Sequence, residues 1–472
     1  MNLTQQIAKN TGLQIMSKIL STILGLVAIA FVARILGAEQ FGWYTTSSSF
    51  VQFIGILADF GFMLITSQML AENNFPQIKL LNTLFTWRLI VAIVLFGLAG
   101  ILIWFFPYIT EIKIATVIIS FSFFFITINQ VLTGYFQYKL KMIIPAIGEI
   151  LGRLFLVAGV ILIYFGNFNK TFFSLMFVIS LASFIFFIYL LVNSPKIKLK
   201  IDKQITKIAF AKMWPLTISI MFNAFYLLGD RIILPLYVSQ KNVGFYGASY
   251  RVLDIILQII ALSMAIILPL LSASWSNQKI EEFKERMQIS FDFLALTTFP
   301  MIAGILALAT PVMEFVAGTN FTPSGKILSI LIFAIIGVYF GQIGGHLMLS
   351  MNKQKKSLIV FILTAILGII SYFIFIPKFG IWGAVGVTIA TEMFAGILLL
   401  TLSIYYAKYM PKLLTLFKIF LSSVIMGILI YYLPSPHILV SIIMGILIYS
   451  GFILIFKTVK FKTVKELFNI NQ

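Results

Sequence analysis

The stretch LLNTLFTWRLIVAIVLFGLAGILIWF, residues 80–105, decides the fold class of this 472-residue chain. It exceeds the roughly 20 apolar residues that a helix needs to cross the hydrocarbon core of a membrane. Arg88 is its only charged side chain, and similar apolar runs follow one another almost from end to end. The whole chain is 60% hydrophobic and 10% charged, with a mean hydropathy of +1.04, unlike a soluble globular domain. The sequence therefore predicts an all-α polytopic membrane protein.

The apolar runs between polar breaks predict about fourteen transmembrane helices. The first six helices are expected near residues 13–35, 43–69, 80–105, 114–134, 143–165 and 171–192. The other eight are expected near residues 213–237, 244–272, 288–316, 326–350, 357–376, 380–407, 413–433 and 437–456.

The distribution of basic residues predicts the topology, because lysine and arginine collect in short loops on the cytoplasmic side. When the links are numbered alternately, most of the 34 basic residues fall on one side of the membrane. That side includes the link before residue 213 and the tail after residue 456. We therefore expect an even number of helices and both termini in the cytoplasm. The net charge of +19 follows from this topology, and no nucleic-acid partner is expected.

The longest polar link, from about Asn193 to Lys212, resembles a hinge between two bundles. The predicted parts are an N-terminal six-helix bundle (1–195), a cytoplasmic basic linker (196–212), a C-terminal six-helix bundle (213–407), two additional transmembrane helices (408–456) and a cytoplasmic basic tail (457–472). An internal echo supports a pseudo-twofold relation of the bundles, since GWY at 42–44 recurs as GFY at 244–246. Both copies begin at the same predicted membrane face, as in a parallel repeat.

Several predicted helices contain ionisable side chains. Each costs at least about 2.5 kcal/mol near the bilayer centre, so it needs a partner, a hydrated cavity or a function. These residues are Lys18, Asp59, Arg88, Glu149, Arg153, Asp230, Arg231, Arg251, Asp254 and Glu392. The spacing allows Glu149 to pair with Arg153 and Arg251 to pair with Asp254 on one helix face.

Arg88, Lys18 and Asp59 have no such partner on their own helix. Arg88 lies about 13 Å into its apolar run, so it either pairs with Asp59 or Glu149, or faces a hydrated cavity and binds an anion. Lys18 is only a few residues inside the first helix and is expected to snorkel. Asp59 either carries a coupling proton or bridges to Arg88 or Lys18.

Three stretches resemble landmarks of Wzx-type polysaccharide flippases, within the multidrug/oligosaccharidyl-lipid/polysaccharide exporter superfamily. They are FVARILGAEQFGWYTTSSSF at 31–50 with LADFG at 57–61, GDRIILPLYVSQKNVGFYGASYRVLD at 229–254, and GIWGAVGVTIATE at 380–392. The resemblance covers essentially the whole chain. It implies a flippase that moves an undecaprenyl-pyrophosphate-linked oligosaccharide from the cytoplasmic to the outer leaflet of the bacterial inner membrane. Alternating access, driven by an ion gradient as in an antiporter, is the implied mechanism.

The resemblance also implies residue roles and partners. Arginines in a groove between two bundles would bind the pyrophosphate, and a carboxylate would couple the ion. The candidates are Arg88, Arg153, Arg251 and Lys18 for the substrate, and Asp59 and Glu149 for coupling. Membrane lipids, a polysaccharide polymerase and a chain-length regulator are the other expected partners.

Catalysis is not expected, and neither is a cofactor or a metal site. The two histidines are isolated, cysteine is absent, and no P-loop pattern is present. Within the same superfamily, a peptidoglycan-precursor flippase or a multidrug exporter is the alternative. A membrane-embedded polymerase or glycosyltransferase is the alternative from another class of protein. Such enzymes normally need a large extramembrane loop, whereas every predicted outer link is short.

Overall fold

The computed structural model describes residues 3–59, 61–166, 171–433 and 437–458, and every regular element in these ranges is a helix. Most of the predicted basic tail, residues 459–472, lies outside the described residues. The chain divides into two compact units. The first unit comprises Met1–Gly247 and Tyr372–Ile381, and the second comprises Ala248–Ser371 and Trp382–Gln472.

Besides the segment Tyr372–Ile381, which comes from helices later in the chain, the first unit contains seven helices and the start of an eighth. They are α1 (Leu3–Asp59), α2 (Phe62–Glu72), α3 (Gln77–Leu102), α4 (Thr110–Tyr138), α5 (Ile143–Phe165), α6 (Phe172–Asn193), α7 (Lys203–Ile233) and the first residues of α8 (Gln240–Ser276). Within this unit α4 packs against α1, α2, α3 and α6, while α5 packs against α1 and α6. The polar residues of α3 and α4 are thereby enclosed by other helices.

The second unit contains the rest of α8 and the helices that follow, except for the segment Tyr372–Ile381, which belongs to the first unit. They are α9 (Ile280–Ala317), α10 (Thr322–Leu331), α11 (Ala334–Ser350), α12 (Gln354–Phe379), α13 (Ile381–Ala407), α14 (Leu414–Tyr432) and α15 (Ile438–Ile455). Helix α9 is central here, since it packs against α10, α11, α14 and α15. It is locally non-helical at Leu308, close to Pro311, which cannot donate a helical hydrogen bond.

The chain is a multi-pass membrane protein. Over the described residues, eleven helices are long and apolar enough to span a membrane, or twelve if α10 and α11, bent by 48°, form one span. Residues 16–35 of the first predicted helix and all of the second, 43–69, fall within one candidate span, Met16–Glu72. Helix α1 is interrupted by a kink at Gly37. The φ of 65° and ψ of −179° at this residue are a backbone conformation that glycine adopts without steric cost.

Two predicted elements differ from the structure. The predicted helix 326–350 is broken between α10 and α11, at a site with neither glycine nor proline. The predicted linker 196–212 is only partly a link, because α7 already begins at Lys203. Asp202 caps α7 by accepting a hydrogen bond from the backbone amide of Ile205 at 2.9 Å, which satisfies one of the free donors at a helix start.

Candidate functional site: intramembrane charges of the first unit

Arg88, on α3, is fully buried and bound on every side by protein groups. Its Nε donates to the carbonyl of Thr127 at 2.8 Å. Its Nη1 donates to the carbonyl of Ala58, and its Nη2 donates to the side-chain oxygen of Gln130. Arg88 therefore joins α3 to the end of α1 and to α4.

The break after α1 explains why the carbonyl of Ala58 is available to Arg88. Helix α1 ends at Asp59, and α2 starts after Gly61, whose φ of 74° is left-handed. The last carbonyls of a helix lack amide partners and carry partial negative charge. The guanidinium binds one of them, lies 5.1 Å from the centroid of the Phe62 ring, and so holds the break between the two helices.

Asp59 is the acidic partner that the sequence offered for Arg88. Its Oδ1 lies 3.6 Å from Nη2 of Arg88, which is an ion pair but too long for a hydrogen bond. The same oxygen is buried and has no hydrogen-bond partner among the described residues. The Asp59 side chain keeps 26% of its surface exposed. Of the alternatives for Arg88, pairing with Asp59 is the one found.

Glu149, on α5, pairs with α1 and not with Arg153. The amino group of Lys18 lies 3.5 Å from Oε1 of Glu149. The hydroxyl of Ser21 donates to the same oxygen at 2.6 Å. The predicted pair with Arg153 on one helix face is wrong in this structure, because the carboxylate turns toward two donors of the neighbouring helix. Lys18 is therefore ion-paired, not simply extended toward the interface.

Arg153 lies one turn further along α5, near the middle of that helix, and is half-buried. No hydrogen bond or ion pair reaches it within the part of the chain that the structure describes. Its guanidinium faces α1, where a Cβ added at Gly25 would lie 3.5 Å from Nη1. A charged group at mid-membrane depth without a protein partner is costly. It requires water or an anion from outside the chain.

The remaining substrate candidate, Arg251, lies on α8 in the second unit. It is half-buried, as is Asp254 on the same helix. The structure therefore brings Arg88 together with Asp59, and Lys18 with Glu149, all in the first unit. Arg251 belongs to a different unit.

The GWY and GFY echoes contact each other directly, at residues of the first unit. A Cβ added at Gly42 would lie 1.8 Å from the carbonyl oxygen of Gln240, and one added at Gly244 would lie 1.9 Å from that of Ala38. Each glycine thus meets the carbonyl of the residue four positions before the other. The hydroxyl of Thr46 donates to the side-chain oxygen of Gln240 at 2.8 Å alongside.

Sequence reasoning missed Asp292 on α9 of the second unit. Both of its carboxylate oxygens accept from Nε2 of Gln288 at 3.1 Å. Among the described residues no basic group lies within 4.0 Å of it. It lies near the start of the predicted helix 288–316 and was not among the intramembrane charges considered from the sequence. The sequence signal that could have identified Asp292 is Gln288, a hydrogen-bond donor one helical turn earlier.

The described residues contain no group of three or more histidine, aspartate or glutamate side chains that could hold a metal ion. The candidate site is therefore a set of intramembrane charges. Such a set can bind an anionic group and exchange protons or cations.

Residues 7–275 match the family described as polysaccharide biosynthesis protein, which is more than half of the chain. The chain belongs to this family. The sequence-based resemblance to Wzx-type polysaccharide flippases is thereby confirmed, and the family's relatives are transporters and flippases, not enzymes.

One relative of this chain is the probable low-salt glycan biosynthesis flippase Agl15 of Haloferax volcanii. It is 26% identical over 160 residues, which cover 34% of each chain. The match thus spans about a third of the length of this curated relative.

Two solved structures share the fold. A lipid II flippase, MurJ, in an inward closed conformation aligns with a TM-score of 0.78 and 19% identity, covering 93% of this chain and 98% of that one. An inward-facing multidrug resistance MATE family transporter of the MOP superfamily aligns with a TM-score of 0.68 and 14% identity, covering 82% and 94%. The chain therefore has the fold of these two transporters.

Proposed function

We propose that the protein is a flippase that translocates an undecaprenyl-pyrophosphate-linked oligosaccharide from the cytoplasmic to the outer leaflet of the inner membrane. The family, the glycan flippase among its relatives and the fold of a lipid II flippase support this assignment. A lipid-linked sugar has a polar head that cannot cross hydrocarbon unaided, while its tail can stay in the lipid. Alternating access through a hydrated passage suits such a substrate.

The observation that carries this proposal is Arg153. Its guanidinium is half-buried near the middle of α5, and no described protein group binds it. Guanidinium presents a planar fork of donors that matches phosphate oxygens. We assign Arg153 to the pyrophosphate, with Lys18, which pairs with Glu149 one turn earlier on α5, as a second and partly neutralised cation.

The other substrate candidates have different positions. Arg88 could bind a pyrophosphate only by releasing the carbonyls of Ala58 and Thr127, so we rank it after Arg153. Arg251 would supply a cation from the second unit.

Asp59 and Glu149 are the proposed coupling groups. Asp59 is the stronger of the two, because it has a buried oxygen without a donor. Glu149 already accepts from Ser21 and pairs with Lys18.

We propose fourteen crossings with both termini in the cytoplasm, arranged as two six-helix bundles plus two C-terminal helices. A continuous span from Met16 to Glu72 is far longer than the hydrocarbon core, which needs about 20 helical residues. Its division at Gly37 gives two crossings. The 31-residue α7 gives another, and the bent pair α10 and α11 gives one more. The concentration of lysines in alternate links supports the orientation.

The product of this reaction also suggests partners. A lipid-linked repeat unit delivered to the outer leaflet must be consumed by an enzyme that joins such units. A polysaccharide polymerase and a chain-length regulator are therefore the expected functional partners, together with membrane lipids.

Reconstitution into proteoliposomes tests the substrate class. We expect the purified protein to flip a fluorescent undecaprenyl-pyrophosphate-linked oligosaccharide faster than protein-free vesicles. We expect it to leave lipid II and an amphiphilic cationic dye untransported. Transport of the dye alone, or of lipid II alone, would refute the assignment in favour of a drug exporter or a peptidoglycan-precursor flippase.

The same vesicles test the energy source. Ion coupling predicts that flipping slows when the proton and sodium gradients are both collapsed. A full rate without either gradient would show that Asp59 and Glu149 have no coupling role.

The peptidoglycan-precursor flippase is the second candidate, since the MurJ structure covers 93% of this chain. That likeness, at 19% identity, concerns the fold. The match to the polysaccharide biosynthesis family favours the oligosaccharide substrate.

A further inference from the structure

The segment between α6 and α7 is attached to the protein along its length. We call residues 194–202 the basic strap. The backbone amide of Lys198 donates to Asn82 Oδ1 at 2.9 Å, and that of Lys200 donates to Thr86 Oγ1 at 3.1 Å. The backbone amide of Asp202 donates to Thr83 Oγ1 at 3.3 Å. Every second amide thus points to α3, as in an extended chain.

The end of the strap is fixed as well. The Asp202 carboxylate lies 2.6 Å from the amino group of Lys79 on α3. Just beyond it, the indole nitrogen of Trp87 donates to the hydroxyl of Thr206 at 2.9 Å. The basic strap is therefore held in one place against the first turns of α3.

The lysine side chains of the strap are not used in these attachments. Lys196, Lys198 and Lys200 are exposed, and their Cα atoms are about 7 Å apart in an extended chain. Lys203 and Lys207, in the first turns of α7, are exposed too. None of these five amino groups has a carboxylate within 4.0 Å among the described residues. Five unneutralised positive charges therefore lie close together.

Apolar side chains are exposed beside these lysines. Leu199 is 63% exposed and Ile201 is 48% exposed. Helix α6 has 22 residues, which is about the length that crosses the hydrocarbon core. Residues that follow its last turn therefore lie at the level of the lipid headgroups, where aliphatic side chains can enter the acyl region and amino groups can meet phosphates.

We propose that the basic strap, with Lys203 and Lys207, binds the headgroups of anionic phospholipids. A cluster of four to eight basic residues next to a membrane span attracts anionic lipid. The attachment to α3 spaces the lysines in advance, so less ordering is needed on binding. This inference concerns the bulk lipid around the protein and does not rest on the proposed flippase activity.

Protection of the lysines from chemical modification tests the proposal. The full-length protein would be placed in nanodiscs of phosphatidylcholine, with or without phosphatidylglycerol, and treated with an amine-acylating reagent. Mass spectrometry would give the rate for each lysine. We expect Lys196, Lys198 and Lys200 to react about fivefold more slowly with phosphatidylglycerol present, and this protection to fade in about 1 M salt.

A matched pair of variants tests whether the effect belongs to the strap. K196Q/K198Q/K200Q and K353Q/K355Q/K356Q remove the same charge, the latter from exposed lysines around the start of α12. We expect only the strap variant to retain fewer phosphatidylglycerol molecules after delipidation, counted by native mass spectrometry. Equal loss in both variants, or equal labelling in the two nanodiscs, would overturn the proposal. Protection that required an added polyprenyl-pyrophosphate lipid would overturn it as well, because the strap would then bind that lipid.

Discussion

Arg88 and Arg153 are both arginines within apolar helices of the first unit, yet their surroundings are opposite. Arg88 is fully buried, with hydrogen bonds to Ala58, Thr127 and Gln130. Arg153 is half-buried and has no partner among the described residues. A charge in a membrane helix thus indicates that something must bind it. Whether that is the protein or a ligand depends on the neighbouring helices.

The largest expected effect is on the stability of the Arg88 region. Replacing Arg88 by Met should lower the free energy of unfolding by about 3–5 kcal/mol, because Asp59 and two backbone carbonyls lose their cationic donor in a buried setting. Unfolding in a detergent titration with SDS measures this. A variant with unchanged stability but no transport would instead make Arg88 a substrate ligand.

Arg153 should show the reverse behaviour. Replacing Arg153 by Gln should reduce flipping of the lipid-linked oligosaccharide about 10- to 100-fold, the loss expected for hydrogen bonds to a charged group. Stability should change by less than about 0.5 kcal/mol. Transport assays and the same SDS titration give both numbers, and Arg153→Lys should recover part of the rate. Normal transport by Arg153→Gln would remove the residue from the site.

The Lys18 and Glu149 pair should lie between these two cases. About 44% of the Lys18 side chain and 29% of the Glu149 side chain remain exposed, so water screens their attraction. A double-mutant cycle with Lys18→Met and Glu149→Gln should give a coupling energy of less than about 1 kcal/mol. A coupling as large as that expected around Arg88 would mean that the pair is sealed from water.

The smallest expected effect on stability is that of Asp202. This residue lies outside the membrane spans and pairs with Lys79 at the start of α3. The hydrogen bond from Lys79, followed by that from the Ile205 amide, lowers the pKa of Asp202. A lowered pKa stabilises the fold above about pH 4, the unfolded value, and this gain is lost as the pH falls through the folded value. The unfolding temperatures of wild type and Asp202→Asn should therefore differ at pH 7, and the difference should shrink as the pH is lowered below 4. A difference that grows on acidification would contradict this.

Much of the helix pattern could be predicted, because a long apolar run has few alternatives in a membrane. The predicted helix 143–165 agrees with α5, and the predicted 437–456 with α15, to within a residue or two. The start of α7 at Lys203 was not predicted, because the lysines before residue 213 suggested a loop. Asp202 as an N-terminal cap was the overlooked signal.

The partners of the buried charges were harder to predict. The pairing of Arg88 with Asp59 was among the alternatives, because few acids were available. Two acceptors of Arg88 are backbone carbonyls, that of Ala58 at the end of α1 and that of Thr127 inside α4, and no side-chain pattern reveals them. Glu149 and Arg153 had ideal spacing on one helix, yet Ser21 and Lys18 of another helix offered better donors. Local spacing cannot rank partners that only tertiary packing brings close.

The reciprocal contact of Gly42 with Gly244 has a consequence for how this sequence can change. Each position is crowded by a backbone carbonyl of the opposite segment, and a carbonyl cannot be shortened by mutation. A methyl group added on one side therefore has no compensating replacement on the other. The two positions constrain one another permanently, so glycine should persist at both for as long as descendants of this protein keep the two segments together.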